Sequence, residues 1–326
     1  MKSLSGSRIL ITGGAGFIGS TIVDQLLQEN VGEIIIIDNL IRGSKNNISS
    51  ALLSKKVKLI EGDIRDLDLL NKHFQGIDYC FHMAALRIDH CEAEPRYALE
   101  VMFDGTYNVM ECCVKYNLKK TVLASSASIY GMADFFPTNE DHHPYNNHTL
   151  YGTAKLANEG MLRAFYDMYG MKYNALRFFN VYGPRMDLYG KYTEVMIRWY
   201  HLIRDGKQPL IFGDGKQTMD FVYVDDVARA NILALKTEIN ATVFNVASGT
   251  ETSLEQLCSI LLEVMGLDLK PKHVPLPDGR KKVEVLRRVA DVSKARDQLK
   301  FESKVSLKEG LQKLVHWLDS QTITVG

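Results

Sequence analysis

The first half of the chain alternates short apolar runs with longer segments whose apolar residues recur at helical spacing. The apolar runs are nearly continuous and rich in Ile, Val and Leu, which is typical of strands buried on both faces of a parallel sheet. The longer segments between them have the periodicity of amphipathic helices. The pattern therefore predicts a doubly wound α/β domain with helices on both faces of the sheet. The predicted strands are residues 8–12, 33–38, 57–61, 77–81 and 121–125, and the predicted helices are about 17–29, 66–74, 92–117 and 151–169.

A glycine-rich turn joins the first predicted strand to the first predicted helix. It reads Gly-Gly-Ala-Gly-Phe-Ile-Gly over residues 13–19. Glycines at such a turn let the backbone approach a pyrophosphate, whose charge is met by the helix N-terminus. Asp38 ends the second predicted strand 19 residues after Gly19, where an acidic group accepts hydrogen bonds from an adenosine ribose. We therefore expect a Rossmann-type dinucleotide site.

Asp38 also bears on which dinucleotide binds. A 2′-phosphate on the ribose would face the negative charge of this carboxylate, so NAD is favoured over NADP. Arg42 lies close enough in sequence to keep NADP as a minor alternative.

Tyr151 and Lys155 form a candidate catalytic pair. They are four residues apart in the last predicted helix, and residues at this spacing share one helix face. A lysine ammonium stabilises a nearby phenolate, and a tyrosine activated in this way can remove a proton from a sugar or alcohol hydroxyl. The alternative is an exposed tyrosine stacked over a lysine stem. The glycine turn upstream, and the strand-like run that ends in the hydroxyls of Ser125 and Ser126, favour catalysis.

Composition excludes several other classes of protein. The 326 residues include 39 basic and 39 acidic side chains, so no net field recruits nucleic acid or an anionic membrane. The five cysteines show no paired spacing typical of a disulfide framework or a zinc site. No apolar run is long enough to span a bilayer. We expect a cytoplasmic protein that binds neither nucleic acid nor membrane.

Ordered motifs from residue 8 to about residue 318 resemble those of the extended short-chain dehydrogenase/reductases. Within that family the pattern is most similar to the nucleotide-sugar 4-epimerases and dehydratases, and the UDP-sugar 4-epimerases in particular. Besides the glycine turn and Asp38, the motifs are GDI at 62–64, HMAA at 82–85, SSASIYG at 125–131, YGTAK at 151–155, RFFNVYGPR at 177–185 and DFVYVDD at 220–226.

The resemblance implies NAD as cofactor and a nucleotide-diphosphate sugar as substrate. It makes Tyr151 the base, Lys155 its activator and ribose ligand, and Ser126 the hydroxyl that hydrogen-bonds the sugar oxygen. The residues expected to line NAD are Gly13, Gly16, Phe17, Ile18, Gly19, Asp38, Asn39, Leu40, Gly43, Asp63, Ile64, Ala84, Ala85, Leu86, Ala124, Tyr151, Lys155, Phe178 and Val181. Those expected to contact the substrate are Arg87, Ser126, Asn180, Val195, Ile211, Phe212, Met219, Lys281 and Arg288, with Asn180 on the diphosphate and Ile211 and Phe212 on the base.

Departures from the family pattern bear on the reaction type. In the related 4,6-dehydratases the position of Ser126 is followed by an Asp-Glu pair, because eliminating water needs both an acid and a base. Ala127 and Ser128 occupy those positions here and carry no carboxyl. The related decarboxylases also carry a carboxyl in this motif, so its absence here disfavours decarboxylation as well. We therefore expect an NAD-dependent 4-epimerase acting on a UDP-hexose, UDP-N-acetylhexosamine or UDP-hexuronate through a transient 4-keto sugar.

Other functions stay open beside the epimerase. A nucleotide-sugar dehydrogenase or 4-ketoreductase would use the same residues and differ only in net turnover of the cofactor. A 4,6-dehydratase and a non-catalytic NAD-binding protein are weaker alternatives, because fold does not imply function.

Met219 is a departure that bears on substrate binding. Many relatives carry at this position an arginine that pairs with the substrate diphosphate. Arg87, Arg185, Lys281 and Arg288 are candidates to replace it. For each of these residues the alternative is a solvated surface position.

The loop before the predicted active-site helix carries His142, His143 and His148. Histidines so close together could suggest a metal site. The inferred chemistry needs no metal, so we expect none and interpret them as loop residues.

The domain organisation follows from the same patterns. We expect an NAD-binding Rossmann domain at 1–178, with sheet contributions from about 223–247. Residues 179–222 and 248–326 are expected to form a smaller C-terminal lobe that binds the substrate. The resemblance also implies a homodimer joined through the helices at about 92–117 and 151–169.

Overall fold

The computed structural model describes residues 1–188, 194–275 and 285–321. Its strands are β1 Arg8–Thr12, β2 Glu33–Asp38, β3 Val57–Glu61, β4 Tyr79–His82, β5 Lys120–Ser126, β6 Tyr173–Phe178, β7 Asn180–Tyr182, β8 Leu210–Phe212, β9 Thr218–Tyr223, β10 Thr242–Val246, β11 Glu251–Ser253, β12 Lys272–Val274 and β13 Arg287–Arg288.

Seven of these strands form one parallel sheet in the order β10-β6-β5-β4-β1-β2-β3. The order reverses beside β1, which is the arrangement of a doubly wound Rossmann-type sheet. The predicted fold class is therefore confirmed. Within β2 four successive side chains are buried, those of Ile34, Ile35, Ile36 and Ile37. Both faces of this strand are therefore covered, which is why its sequence is apolar without alternation.

Helices cover both faces of this sheet. One hydrophobic cluster joins α1 and α9 to one face, and a second joins α6 and α7 to the other. The helices are α1 Phe17–Gln28, α2 Ser49–Leu52, α3 Leu67–His73, α4 Ile88–Ala93, α5 Pro95–Leu99, α6 Thr106–Lys115, α7 Leu150–Tyr169, α8 Val195–Arg204, α9 Val224–Lys236, α10 Leu254–Met265 and α11 Leu307–Ser320.

The single helix predicted at about 92–117 is confirmed from Pro95 to Lys115, where the helical backbone has no break, but its predicted start is wrong. The structure has α4, α5 and α6 there, with a π-helical segment at Glu100–Gly105. Pro95 lies at the first position of α5. Proline has no backbone N–H to donate and clashes with the preceding turn, so a helix begins at it instead of running through it.

Helix α7, which carries the candidate catalytic pair, lies where the sequence predicts it. The Thr149 side chain caps it by accepting a hydrogen bond from the Gly152 N–H at 3.1 Å. Gly170 ends it in the left-handed region at φ 69°. Both ends are thus defined by local sequence.

A smaller unit packs beyond the carboxyl ends of the large sheet. In it β9 pairs with β7, β11 and β13, and β8 pairs with β12. Its core lies between α8, α10 and α11 and is centred on Trp199, Tyr200, Leu257 and Leu311. Among the residues described, no helix combines the length and apolar character needed to cross a membrane.

Candidate active site

A cleft of about 910 Å³ runs along the carboxyl ends of the central strands of the large sheet. Its opposite wall is formed by residues 179–182, 185–188 and 194–196, together with Met219, Phe221 and Arg288. Ligands of open α/β sheets bind at this edge, next to the point where strand order reverses. The fold therefore places one large cleft where a dinucleotide and a second ligand can meet.

The glycine turn forms the floor of this cleft at the start of α1. Gly13 adopts φ +70°, and a Cβ there would lie 2.6 Å from the Ala84 backbone nitrogen. A Cβ on Gly19 would run into the carbonyl oxygen of Gly13. Only glycine fits at either position, and the bare backbone leaves room for a phosphate at the helix N-terminus. This cradle fits the pyrophosphate of NAD.

Asp38 ends β2 at the rim of the same cleft. Its two carboxylate oxygens accept hydrogen bonds from the backbone N–H groups of Ala15 and Leu40, each at 2.9 Å. Burial raises the pKa of Asp38, while these two hydrogen bonds lower it. The carboxylate is thus held rigidly beside the glycine turn.

The cleft wall includes every residue expected to line NAD except Leu40. Leu40 has φ +58° and presents only its backbone N–H to Asp38, while its side chain packs on the core. Its expected contact with NAD stays a prediction. Leu40 contributes by orienting Asp38.

Ser126, Tyr151 and Lys155 converge at the end of β5. The Ser126 hydroxyl lies close enough to the Tyr151 phenol to lower its pKa as a hydrogen-bond partner. The Lys155 ammonium donates to the carbonyl oxygen of Ala124 at 2.6 Å and lies 5.8 Å from the centroid of the Tyr151 ring. The three side chains predicted as catalytic thus lie together in the cleft.

The electrostatics of the pair differ from the simple expectation that Lys155 alone activates Tyr151. Burial raises the pKa of Tyr151, while the hydrogen bond from Ser126 and the charges of Arg42 and Arg87 lower it. Burial lowers the pKa of Lys155 to about 8. Burial is the largest influence on both pKa values and disfavours the charged form of each side chain.

Arg87 links the two walls of the cleft. Its guanidinium lies 2.9 Å from Glu194, 3.5 Å from Asp89 and 3.7 Å from Asp187. Glu194 and Asp187 belong to the wall opposite the sheet. No sequence signal identifies these partners, because Glu194 is 107 residues away from Arg87.

The remaining substrate candidates divide between two cavities. Asn180, Val195, Met219 and Arg288 line the main cleft. Ile211 and Phe212 do not, but line an adjoining cavity of about 180 Å³ that shares Val195 and Met219 with it. Lys281 lies outside the described residues.

Arg288 is the register partner of Met219 on the neighbouring strand. Burial lowers the pKa of its guanidinium to about 10, and no carboxylate among the described residues pairs with it. Asn180 donates from its side-chain amide to the Asp220 carbonyl oxygen at 3.1 Å, which fixes its orientation. Arg185, another candidate, pairs with Asp24 at 2.7 Å.

Several polar residues of the cleft could not be predicted from sequence. They come from loops after β2, β5 and β7, whose positions in space have no signature in sequence. They include Ser44, Asn46, Asn47, Asn146, Asn147, Thr149, Asp187 and Glu194.

His148 also lines the cleft, whereas His142 and His143 lie beside Asp134. The His142 Nε2 accepts from the Asp134 backbone N–H at 2.9 Å, and its Nδ1 lies 2.6 Å from the His143 carbonyl oxygen. His143 Nε2 lies 2.7 Å from the Asp134 carboxylate. These contacts brace the loop that precedes α7.

A Rossmann-type sheet with a glycine turn and a Ser-Tyr-Lys site defines an extended short-chain dehydrogenase/reductase. Residues 9–247 match the model of the NAD dependent epimerase/dehydratase family. The chain belongs to that family.

Individual relatives agree with this assignment. A putative UDP-glucose 4-epimerase of Methanocaldococcus jannaschii is 38% identical over 321 residues, covering 97% of this chain and 100% of the relative. UDP-N-acetylglucosamine 4-epimerase from Methanobrevibacter ruminantium, solved with UDP-N-acetylmuramic acid, has a TM-score of 0.91 at 33% identity, covering 97% of this chain and 99% of that one. UDP-glucose 4-epimerase from Thermotoga maritima, solved with UDP-glucose, has a TM-score of 0.88 at 36% identity, covering 96% and 98%.

Other relatives are named as UDP-sugar decarboxylases or dTDP-glucose 4,6-dehydratases, and some neighbouring structures contain NAD. The chain is thus an NAD-dependent enzyme of the nucleotide-sugar epimerase/dehydratase type.

Proposed function

We propose that this enzyme is a UDP-sugar 4-epimerase with Tyr151 as its base. The observation that carries the proposal is the grouping of Ser126, Tyr151 and Lys155 next to Ala127 and Ser128, neither of which has a carboxyl. Hydride and proton transfer at one carbon need only the first three side chains. The relatives named as UDP-sugar 4-epimerases support the same reaction.

In this proposal the chain's own residues move and hold a proton at the sugar O4. Tyr151 removes the proton, and the Ser126 hydroxyl holds the oxygen from which it is taken. Lys155 contributes its charge and orients the ribose of the cofactor. NAD supplies the group that accepts the C4 hydride and returns it to the opposite face of the 4-keto sugar.

Binding of the UDP moiety is assigned to the wall opposite the sheet. We place the diphosphate between Asn180 and Arg288, because Arg288 brings to the cleft beside Met219 a guanidinium that no described carboxylate pairs with. The base is assigned to the cavity lined by Ile211 and Phe212. Lys281 is kept as a further diphosphate ligand on the resemblance alone.

We also propose that the large sheet's unit and the smaller unit divide the work. Residues 1–178, with 223–247, would hold NAD, and 179–222 with 248–326 would hold the sugar nucleotide. The pairing of β10 with β6 supports this division, because it places residues 242–246 in the large sheet although they follow part of the smaller unit in sequence.

A homodimer through α6 and α7 completes the proposal. Tyr107 on α6 and Tyr166 and Tyr169 on α7 are exposed aromatic side chains, and clustered exposed apolar residues mark association surfaces. Light scattering after gel filtration is expected to give the mass of two chains. A monomer at micromolar concentration would contradict this part of the proposal.

The reaction is tested by incubating the purified protein with UDP-glucose, UDP-N-acetylglucosamine and UDP-glucuronate and following the products by NMR. We expect one of these sugars to equilibrate with its C4 epimer. A 4-keto-6-deoxy or decarboxylated product would instead show one of the other chemistries found in the family.

A further inference from the structure

Helix α7 is attached to the end of β5 at three successive turns. The Tyr151 phenol lies beside the Ser126 hydroxyl, which lowers its pKa, Lys155 donates to the carbonyl oxygen of Ala124, and the Ser125 hydroxyl donates to Glu159 at 2.5 Å. Tyr151, Lys155 and Glu159 are spaced by four residues, so they share one face of the helix. The first two attachments belong to the catalytic group already described, whereas the third does not.

Both carboxylate oxygens of Glu159 accept hydrogen bonds beneath the cleft. Its side chain is 4% exposed, and Arg177 on β6 binds both its oxygens, at 3.0 and 2.7 Å. A two-pronged guanidinium bond of this kind fixes the plane of the carboxylate as well as its position. The carboxylate therefore presents Oε1 to Ser125 in one orientation only.

Arg177 continues the network away from the cleft. Its other terminal nitrogen donates to the Tyr130 hydroxyl and to the Glu140 carbonyl oxygen, both at 2.9 Å. Tyr130 in turn donates to the Asn245 side chain at 2.6 Å. Tyr130 thus lies on the far side of Arg177 from Ser125, and it is not among the residues that line the cleft.

We propose that Glu159 is a positioning residue: its carboxylate, held by Arg177, anchors Ser125 and thereby fixes the adjoining Ser126 hydroxyl against Tyr151. The proposal rests on the function proposed above, since Ser126 and Tyr151 act on the sugar hydroxyl there. Reacting groups must be held within a fraction of an ångström of the productive geometry. A strand end tied to the catalytic helix by Ser125 meets that requirement.

The choice of variant follows from the network. Glu159→Gln leaves the buried Arg177 without its counter-charge, which can prevent folding. Ser125→Ala keeps the Glu159–Arg177 pair and removes only the bond to β5. Tyr130→Phe is the matched control, because it removes buried hydrogen bonds from the same network on the side away from the cleft.

Two readouts test the proposal on the NAD-loaded protein. The first is steady-state kinetics with the UDP-sugar: Ser125→Ala is expected to lower kcat about 10-fold with little change in KM, because the geometry of the reaction changes and not the binding of the UDP moiety. The second is the ¹³Cζ resonance of Tyr151, assigned with Tyr151→Phe in tyrosine-labelled protein. Ser125→Ala is expected to shift this resonance, because the Ser126 hydroxyl is no longer held in place beside the phenol.

Tyr130→Phe is expected to lower the melting temperature while leaving kcat and the Tyr151 resonance unchanged. The proposal is overturned if Ser125→Ala keeps a wild-type kcat and an unshifted resonance, or if Tyr130→Phe changes both readouts as much. If the wild-type protein epimerises no UDP-sugar, the proposed function fails, and the resonance comparison still decides the role of Glu159.

Discussion

Arg288 and Met219 are register partners on the adjacent parallel strands β13 and β9. Partners in parallel register project their side chains from the same face of the sheet, so the Arg288 guanidinium reaches the part of the cleft that Met219 lines. From the family resemblance, an arginine is expected at the position of Met219. The structure thus places a positive charge on the strand next to Met219.

The first prediction is that Arg288→Met weakens binding of the UDP-sugar. Removing one charged hydrogen-bond partner of a diphosphate is expected to raise KM about 10- to 100-fold with a smaller effect on kcat. Steady-state kinetics measure both constants.

Arg287→Met is the matched control, because Arg287 is the neighbouring residue and pairs with Glu251 at the exposed surface. Adding Met219→Arg to the Arg288→Met variant is expected to restore part of the lost affinity. Equal KM values for Arg288→Met and wild type would show that the diphosphate binds elsewhere.

The second prediction is that Tyr151→Phe lowers kcat on the order of 1000-fold, the range for a positioned acid or base. The glycine turn and Asp38 are untouched, so the purified variant is expected to retain NAD, measured by absorbance after denaturation. Tyr145→Phe changes an exposed tyrosine just before α7 and is expected to leave the rate unchanged. A Tyr151→Phe enzyme with a near-normal rate would remove Tyr151 from its role.

The third prediction concerns cofactor choice. Asp38→Asn removes the negative charge and keeps one of the two oxygens that accept from the Ala15 and Leu40 N–H groups. It is expected to weaken NAD binding and to narrow the preference for NAD over NADP, because a 2′-phosphate no longer faces a carboxylate. Calorimetric titration with both dinucleotides measures this, with the exposed Asp68→Asn as control. If wild type already binds NADP as well as NAD, the interpretation of Asp38 is wrong.

The fourth prediction is a shift of the pH–rate profile in Arg87→Met. The charge of Arg87 lowers the pKa of Tyr151, so its removal raises that pKa. Because a general base must be deprotonated to act, the rising acid limb of kcat/KM is expected to move to higher pH. Arg96→Met, which changes an exposed arginine on α5, is expected to leave the limb in place. A limb that stays in place in Arg87→Met as well would show that Arg87 does not act on Tyr151.

The large sheet could be predicted from sequence because its signal is local. The first three strands have the predicted bounds, since continuous apolar runs mark strands buried on both faces. The helix predicted at about 92–117 starts too early because Pro95 begins a new helix inside an apolar pattern that is otherwise continuous.

Long-range pairings in the cleft could not be predicted. The Arg87–Glu194 pair and the alignment of Arg288 with Met219 depend on how distant segments meet, and a single sequence holds no record of register between them. The sequence could identify Ser126, Tyr151 and Lys155 because each belongs to a short motif next to a strand or helix end.

The most direct test of the account uses the matching UDP-sugar labelled with deuterium at C4, incubated with the enzyme as purified and without added NAD. The account predicts that NMR shows two C4 epimers at equilibrium with the deuterium still at C4, and that no NADH accumulates, because the hydride returns to the sugar that gave it. Loss of the deuterium with stoichiometric NADH, or a 4-keto-6-deoxy product, would contradict it.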